Sequence, residues 1–364
     1  MNEISFARGV PAPECLPVSE LADCARAALE RDGRAALSYG AGGGYGPLRE
    51  WIAERHAVEP GRVLLTNGSL QGFVFLAERL GGAGRVLVEA PTYDRPLKVL
   101  RRLGVDVVDV PLDEEGLDPD ALERELDAGA ASFLYTIPTF QNPSGLTLSR
   151  DRRQRLAELA HERGLLVLED DPYGFVRFEG EAQPTVFELA GGEGVIYCSS
   201  FSKTVAPGVR VGYFVLPPGL AAELEQQANA TYITPVLLAE ATVYEFLRRG
   251  AFEQNLERVC GLLRDRRDAM LAALERELGG GEARWSRPEG GYFLWLDLPG
   301  STVANDLLEH AAERGVTFVP GVDFFLPGRG GESAARLAFS FVSPEEIDEG
   351  VRRLAALLPA DARV

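Results

Sequence analysis

Amines able to attack a carbonyl are nearly absent from this chain. Of its 37 lysines and arginines, two are lysines, Lys98 and Lys203. A lysine can shed its proton and form an imine, whereas an arginine stays charged. Lys98 lies in Arg95-Pro96-Leu97-Lys98-Val99-Leu100-Arg101-Arg102, a helix-like stretch in which it reads as a solvated charge. Lys203 lies in Ser200-Phe201-Ser202-Lys203, just after the apolar run Val195-Ile196-Tyr197-Cys198, with Arg210 seven residues further on. In parallel α/β sheets, sites gather beyond the carboxyl ends of strands. Lys203 is therefore the residue expected to hold a carbonyl compound.

Other residues with chemistry follow apolar runs in the same way. Asn67-Gly68-Ser69-Leu70-Gln71-Gly72 is a glycine-flanked turn opening a helix, where free N–H groups favour a phosphate. Taken alone, Ser69 would serve equally as an N-cap. Ala90-Pro91-Thr92-Tyr93 offers an aromatic face that stacks on a planar ring or simply packs. Pro138 to Gly145 forms a turn with the Asn142 amide at its apex, which by itself is a plain Asn-Pro turn. Glu169-Asp170-Asp171-Pro172-Tyr173 ends an apolar strand in carboxylates, costly to bury without a cationic partner. A phosphate cradle, a stacking ring, an amide, a buried acid and an imine-forming lysine are what pyridoxal 5'-phosphate requires. The acid keeps the pyridine nitrogen protonated, so that the ring can withdraw electrons.

Positioning these residues needs a sheet. Strands are expected at 62–66, 85–89, 105–110, 132–136, 165–169, 195–199 and 211–216, with helical patterns between most of them. Runs such as Leu165-Leu166-Val167-Leu168 are apolar throughout, as strands covered on both faces should be. The expectation is an α/β domain with a mostly parallel seven-stranded sheet over residues 38–245. Long helices follow at 219–277, with breaks at Pro235 and Gly250. A smaller α+β domain is expected over 246–364, joined by the N-terminal segment 1–37.

The net charge of −18 excludes a broad basic footprint for nucleic acid. Four cysteines without C-x-x-C spacing and three scattered histidines make no metal site. No run is long and apolar enough to span a membrane, and no secretory leader is evident. A cytoplasmic protein with reduced cysteines is expected.

The chain resembles the fold type I, aspartate-aminotransferase-like pyridoxal phosphate enzymes. It is most similar to class I/II aminotransferases of the 2-aminoadipate/kynurenine type. The motifs are Y-x-x-x-x-G-Y-x-P-L-R at Tyr39–Arg49, N-P-x-G at Asn142–Gly145, E-D-D-P-Y at Glu169–Tyr173 and S-F-S-K-x-x-x-P-G-x-R-x-G at Ser200–Gly212. The resemblance implies that Lys203 forms a Schiff base with the cofactor and then shuttles the substrate proton. It implies that Asp170 meets the pyridinium nitrogen, that Asn142 and Tyr173 bond the ring oxygen, and that Tyr93 stacks on the ring. Ser69, the backbone of Leu70, Ser200, Ser202 and Arg210 would hold the phosphate. Tyr39 would reach the phosphate of a neighbouring subunit, since the family builds its sites across a homodimer. Arg336 would grip the substrate α-carboxylate, with Asn142 beside it and Gly9 and Arg8 at the edge of the closing segment.

The implied activity is ping-pong transfer of an amino group between an α-amino acid and a 2-oxo acid, with 2-oxoglutarate as acceptor. A β-lyase or a decarboxylase could use the same residues. A reading of another kind is the non-catalytic effector domain of a transcription regulator. That protein would carry a basic DNA-binding domain ahead of the fold, and none is expected before Ile4.

Overall fold

The computed structural model describes residues 3–300 and 302–359. The chain opens with β1 (Ile4–Ser5), α1 (Val18–Ala36) and α2 (Gly46–Arg55). Strands and helices then alternate through β2 (Val63–Thr66), α3 (Ser69–Leu80), β3 (Arg85–Ala90), α4 (Asp94–Arg102), β4 (Val107–Asp113), β5 (Gly116–Leu117) and α5 (Pro119–Ala128). The alternation continues with β6 (Ala131–Thr136), α6 (Arg150–Arg163), β7 (Val167–Asp170), α7 (Val186–Leu189), β8 (Val195–Ser200) and β9 (Gly212–Val215). Next come α8 (Pro218–Tyr232), α9 (Leu237–Arg248) and α10 (Ala251–Leu278), separated near Pro235 and at Gly250 as the breaker residues predict. The last part comprises β10 (Arg284–Trp285), β11 (Phe293–Asp297), α11 (Ala304–Glu313), β12 (Val316–Thr317), β13 (Val319–Pro320), β14 (Ala334–Ala338) and α12 (Pro344–Ala355).

The large sheet has the order β2-β9-β8-β7-β6-β3-β4-β5. Its centre is parallel, through β8–β7, β7–β6, β6–β3 and β3–β4, while β9 runs antiparallel to both of its neighbours. Every residue of β7 and β8 is buried, which accounts for the apolar runs Leu165-Leu166-Val167-Leu168 and Val195-Ile196-Tyr197-Cys198 ahead of their polar ends. All seven expected strands are present. An eighth, β5, is a two-residue flap on the end of β4, too short to carry a hydrophobic alternation. The order β8-β7-β6-β3 is what matters for chemistry. It sets the exits of four strands side by side, so Lys203, Asp170, Asn142 and Tyr93 emerge along one edge.

The smaller sheet, β10-β11-β14-β13, is antiparallel, and β1 pairs in parallel with β12. β14 pairs Ala334 with Asp297 and Ala338 with Phe293, so it ends before Ser340. Ser340 instead turns its hydroxyl to the Val10 carbonyl at 2.9 Å. Ile4 and Phe6 pack into the core of this smaller sheet, whereas Cys24, Ala28 and Ala36 of α1 join the core that contains α9. Helix α10 contributes Phe252 to one core and the residues from Val259 onward to the other. Helix α12 is stopped at its start by a capping box between Ser343 and Glu346. Among the described residues no helix is long and apolar enough to cross a membrane.

Candidate active site

One cavity of about 480 Å³ opens where the strand exits meet the smaller sheet. Ser69, Leu70, Tyr93, Asn142, Asp170, Tyr173, Ser200, Ser202, Lys203, Arg210, Arg336 and Gly9 all line it. Tyr39 does not; it is 81% exposed in the loop after α1. Lys203 leaves β8 in a turn, with its backbone carbonyl held by the Tyr292 hydroxyl at 2.7 Å. Its Nζ donates to the Gly9 carbonyl at 2.6 Å and lies 5.2 Å from the Tyr292 ring centre and 5.8 Å from that of Tyr173. Burial, reinforced by the nearby Arg336 and Arg210 charges, lowers the Lys203 amine to about 8. A neutral, nucleophilic amine is therefore accessible near physiological pH. Gly9 comes this close because it has no side chain: a Cβ there would sit 2.4 Å from the Phe293 ring.

At one end the cavity is an anion cradle. Gly68, not Ser69, caps α3, and Ser69 is the first helical residue. Its hydroxyl makes no capping bond, so Ser69 lines the cavity beside the free N–H groups of the helix start. At the end of β8 and in the turn after it, the Ser200 and Ser202 hydroxyls lie 2.9 Å apart. Arg210 closes the cradle from the solvent side through long bonds to Ser202 Oγ (3.4 Å), Pro207 O (3.2 Å) and Asn67 O (3.3 Å).

The three carboxyls at the end of β7 separate by direction. Glu169 is fully buried, accepts from the backbone N–H groups of Val186 and Phe187, and lies 3.8 Å from Arg153. Asp171 accepts from the Tyr197 hydroxyl at 2.8 Å, away from the cavity. Asp170 faces the cavity, with Oδ2 accepting from the Tyr135 hydroxyl at 2.7 Å and Oδ1 buried without a partner. Burial pushes Asp170 up to about 6; the Tyr135 bond opposes this and Asp171 adds to it. A cationic N–H opposite Oδ1 would hold the carboxylate ionised.

Arg336 enters from β14, between the rings of Phe293 (4.2 Å) and Phe324 (4.9 Å). It donates to Asn142 Oδ1 at 3.1 Å and to the Ala7 carbonyl at 3.0 Å, while its buried Nε has no partner. Burial lowers it only to about 10, so it stays cationic at neutral pH. Tyr135, Phe293 and Tyr292 are site residues that the sequence reading missed. Tyr135 carried one usable signal, a phenol following the apolar pair Phe133-Leu134 one residue before the end of β6. The other two follow a glycine pair and become site residues only through the second sheet.

These residues fit pyridoxal 5'-phosphate. The cradle offers hydroxyls, helix N–H groups and a guanidinium to a phosphate. Asp170 Oδ1 awaits a donor, and Lys203 supplies the amine. The chain belongs to the class I and II aminotransferases, whose family model matches residues 14–354. It is 43% identical to the 2-aminoadipate transaminase of Thermus thermophilus, over 98% of this chain and 90% of that protein. It is 35% identical to aromatic-amino-acid aminotransferase 1 of Thermococcus litoralis, over 99% and 89% of the two chains. Among solved structures it matches the Thermus thermophilus α-aminoadipate aminotransferase complexed with N-(5'-phosphopyridoxyl)-L-leucine. That match has a TM-score of 0.92 at 42% identity and covers 98% of this chain and 92% of the other. The protein is a fold type I, pyridoxal-phosphate-dependent transaminase.

Proposed function

We propose that the enzyme transfers the amino group of an α-amino acid to 2-oxoglutarate in two half-reactions, with Lys203 as both cofactor anchor and proton carrier. When bound, pyridoxal phosphate supplies an electron sink for the bond broken at the substrate Cα. Ser69, the Leu70 N–H, Ser200, Ser202 and Arg210 hold the phosphate, and Tyr93 covers the ring. Asp170 faces the ring nitrogen, with Tyr135 keeping its charge on that side, and Asn142 and Tyr173 meet the ring oxygen. Arg336 orients the substrate through its α-carboxylate, and Lys203 Nζ takes the Cα proton. The observation that carries this reading is the single cavity holding the Lys203 amine, the unpartnered Asp170 oxygen and the unpartnered Arg336 Nε.

Charge supports a dicarboxylate acceptor. In a chain of net charge −18, the cavity is lined by Lys203, Arg210, Arg336, Arg8 and Arg95 against Asp94 and Asp170. Arg95 is paired with Asp94 at 3.6 Å. The Arg8 guanidinium stacks on Phe341 at 5.0 Å and makes no ion pair with a described residue. With Arg210 on phosphate and Arg336 on the α-carboxylate, Arg8 is the cation left for a distal carboxylate.

A homodimer with shared sites is part of this reading. Leu37, Tyr39, Ile233 and Val236 are apolar residues between 50% and 81% exposed. Val236 N bonds Asn67 Oδ1 at 3.1 Å, which puts this patch beside the phosphate cradle, where a second copy would bring Tyr39. We place the enzyme in the cytoplasm, a setting that four unpaired cysteines favour. The test is to mix the holoenzyme with single amino acids and 2-oxoglutarate and to measure glutamate. Ammonia or carbon dioxide without glutamate would instead establish lyase or decarboxylase chemistry. In Lys203→Ala the pH-sensitive visible absorbance of the bound cofactor should disappear, and its survival would refute the role of Lys203.

A further inference from the structure

Glu89 takes no part in the chemistry above, yet it is a carboxyl only 2% exposed at the exit of β3. One oxygen accepts from the Thr136 hydroxyl and from Ile137 N (3.1 Å), both at the exit of β6. The other accepts from Gln141 Nε2 at 2.9 Å. The same Nε2 donates to the Pro91 carbonyl at 2.7 Å, and Gln141 Oε1 accepts from Ser144 N at 2.9 Å. All donors and the acceptor of the Gln141 amide are thereby engaged, and its orientation is forced. A flipped amide would set NH2 against the Ser144 N–H and oxygen against both Glu89 and Pro91. Gln141 and Ser144 are also the flanks of Asn142. A buried amide tied on both sides in this way leaves the turn one conformation.

The connection continues across the cavity. Asn142 Oδ1 is the acceptor for Arg336 Nη1, and that bond joins the large sheet to β14. We propose that Glu89 and Gln141 are positioning residues, which lock the 141–145 turn so that Asn142 aims Arg336 at the substrate carboxylate. The proposal rests on reading Arg336 as the carboxylate-binding residue. Glu89 reaches neither substrate nor cofactor in it, acting only through Gln141 and Asn142. Thr136 and Ile137 fix Glu89 itself, so the chain of contacts begins in the rigid sheet.

The test is an exchange of the two side chains in the holoenzyme. In Glu89→Gln the amide oxygen stays with its two donors, Thr136 Oγ1 and Ile137 N, so that an NH2 meets the Gln141 NH2 and the link fails. In the double variant Glu89→Gln/Gln141→Glu the new Gln donates to the new Glu, which still accepts from Ser144 N. The Pro91 carbonyl loses its donor and faces an oxygen of the new Glu, so the exchange restores the link at the cost of one opposed oxygen pair. Glu89→Gln should raise the KM for every amino donor about ten-fold, whatever its side chain, with a smaller effect on kcat. It should weaken binding of succinate, a carboxylate without an amino group, by a similar factor, followed through the cofactor absorbance. The exchange should recover part of both losses.

A fall in thermal stability with unchanged KM and unchanged succinate binding would show Glu89 to be purely structural and overturn the proposal. So would an exchange variant as impaired as Glu89→Gln. Arg336→Gln separates the two layers. If it leaves succinate binding intact, the carboxylate reading itself fails. If it abolishes binding while Glu89→Gln leaves binding unchanged, only the positioning inference fails. Gln141→Asn, which shortens the amide and leaves Glu89 its bonds to Thr136 and Ile137, gives the same readout should Glu89→Gln not fold.

Discussion

Substituting Gly68 by alanine should weaken cofactor binding without destroying the fold. Gly68 has φ +89° and ψ 150°, a region that residues with a side chain rarely enter. Holding an alanine there costs about 1–3 kcal/mol. A Cβ would lie 2.1 Å from Arg210 Nη2 and 2.9 Å from its Cζ. The clash is with the tip of a flexible side chain held by three bonds of 3.2–3.4 Å, so Arg210 swings away and the backbone stays. The loss is then the charge-assisted contact to phosphate, about 1.5–3 kcal/mol, or about 10- to 150-fold in the dissociation constant. The assay is loss of cofactor absorbance on dilution, set beside thermal unfolding of the cofactor-free protein. Arg210→Ala should lose cofactor to a similar extent, but without the backbone penalty in the cofactor-free protein. If Gly68→Ala keeps wild-type cofactor affinity while Arg210→Ala loses it, the displacement argument is wrong. If Arg210→Ala binds normally, Arg210 is not a phosphate ligand.

Other outcomes follow from the same geometry. In the cofactor-free protein, acylation of Lys203 should rise with pH around a midpoint of about 8. Peptide mass analysis can follow it with Lys98, exposed and paired with Asp94 at 2.5 Å, as the comparison. A Lys203 profile that rises only far above pH 8 would contradict the burial argument. Tyr135→Phe removes the donor to Asp170 Oδ2 and should push that carboxyl further above about 6. The acid limb of kcat/KM should then move to higher pH, and an unmoved limb would disconnect Tyr135 from the chemistry. His56, packed against Phe187, Tyr197 and Tyr213, is lowered from 6.5 to about 4 by burial. Its folded value lies below its unfolded one, so the unfolded chain gains a proton first as pH falls. Stability drops between pH 6.5 and about 4 by no more than about 3 kcal/mol. His56→Phe should flatten that loss in urea titrations at the two pH values, and an equal slope in the variant would assign the acid sensitivity elsewhere.

Residue types and spacing alone determined a good deal about this protein. The apolar runs Leu165-Leu166-Val167-Leu168 and Val195-Ile196-Tyr197-Cys198 announced strands buried on both faces, and Pro235 and Gly250 announced the helix breaks. A lysine after β8, a carboxylate after β7 and an amide after β6 were legible because each ends a local run whose burial is written in its own composition. Tertiary structure alone decided which of these ends are neighbours. Sheet order and register depend on packing between segments far apart in the chain, and no local pattern encodes them. The contact between Arg336 and Asn142 spans 194 residues, and that between Lys203 and Gly9 also spans 194. Tyr135 became a site residue only through the register of β6 against β7, which sets its hydroxyl on Asp170. Glu89 and Gln141 were silent for the same reason. A buried carboxyl and an amide in separate segments acquire meaning only when the fold turns each into the other's hydrogen-bond partner.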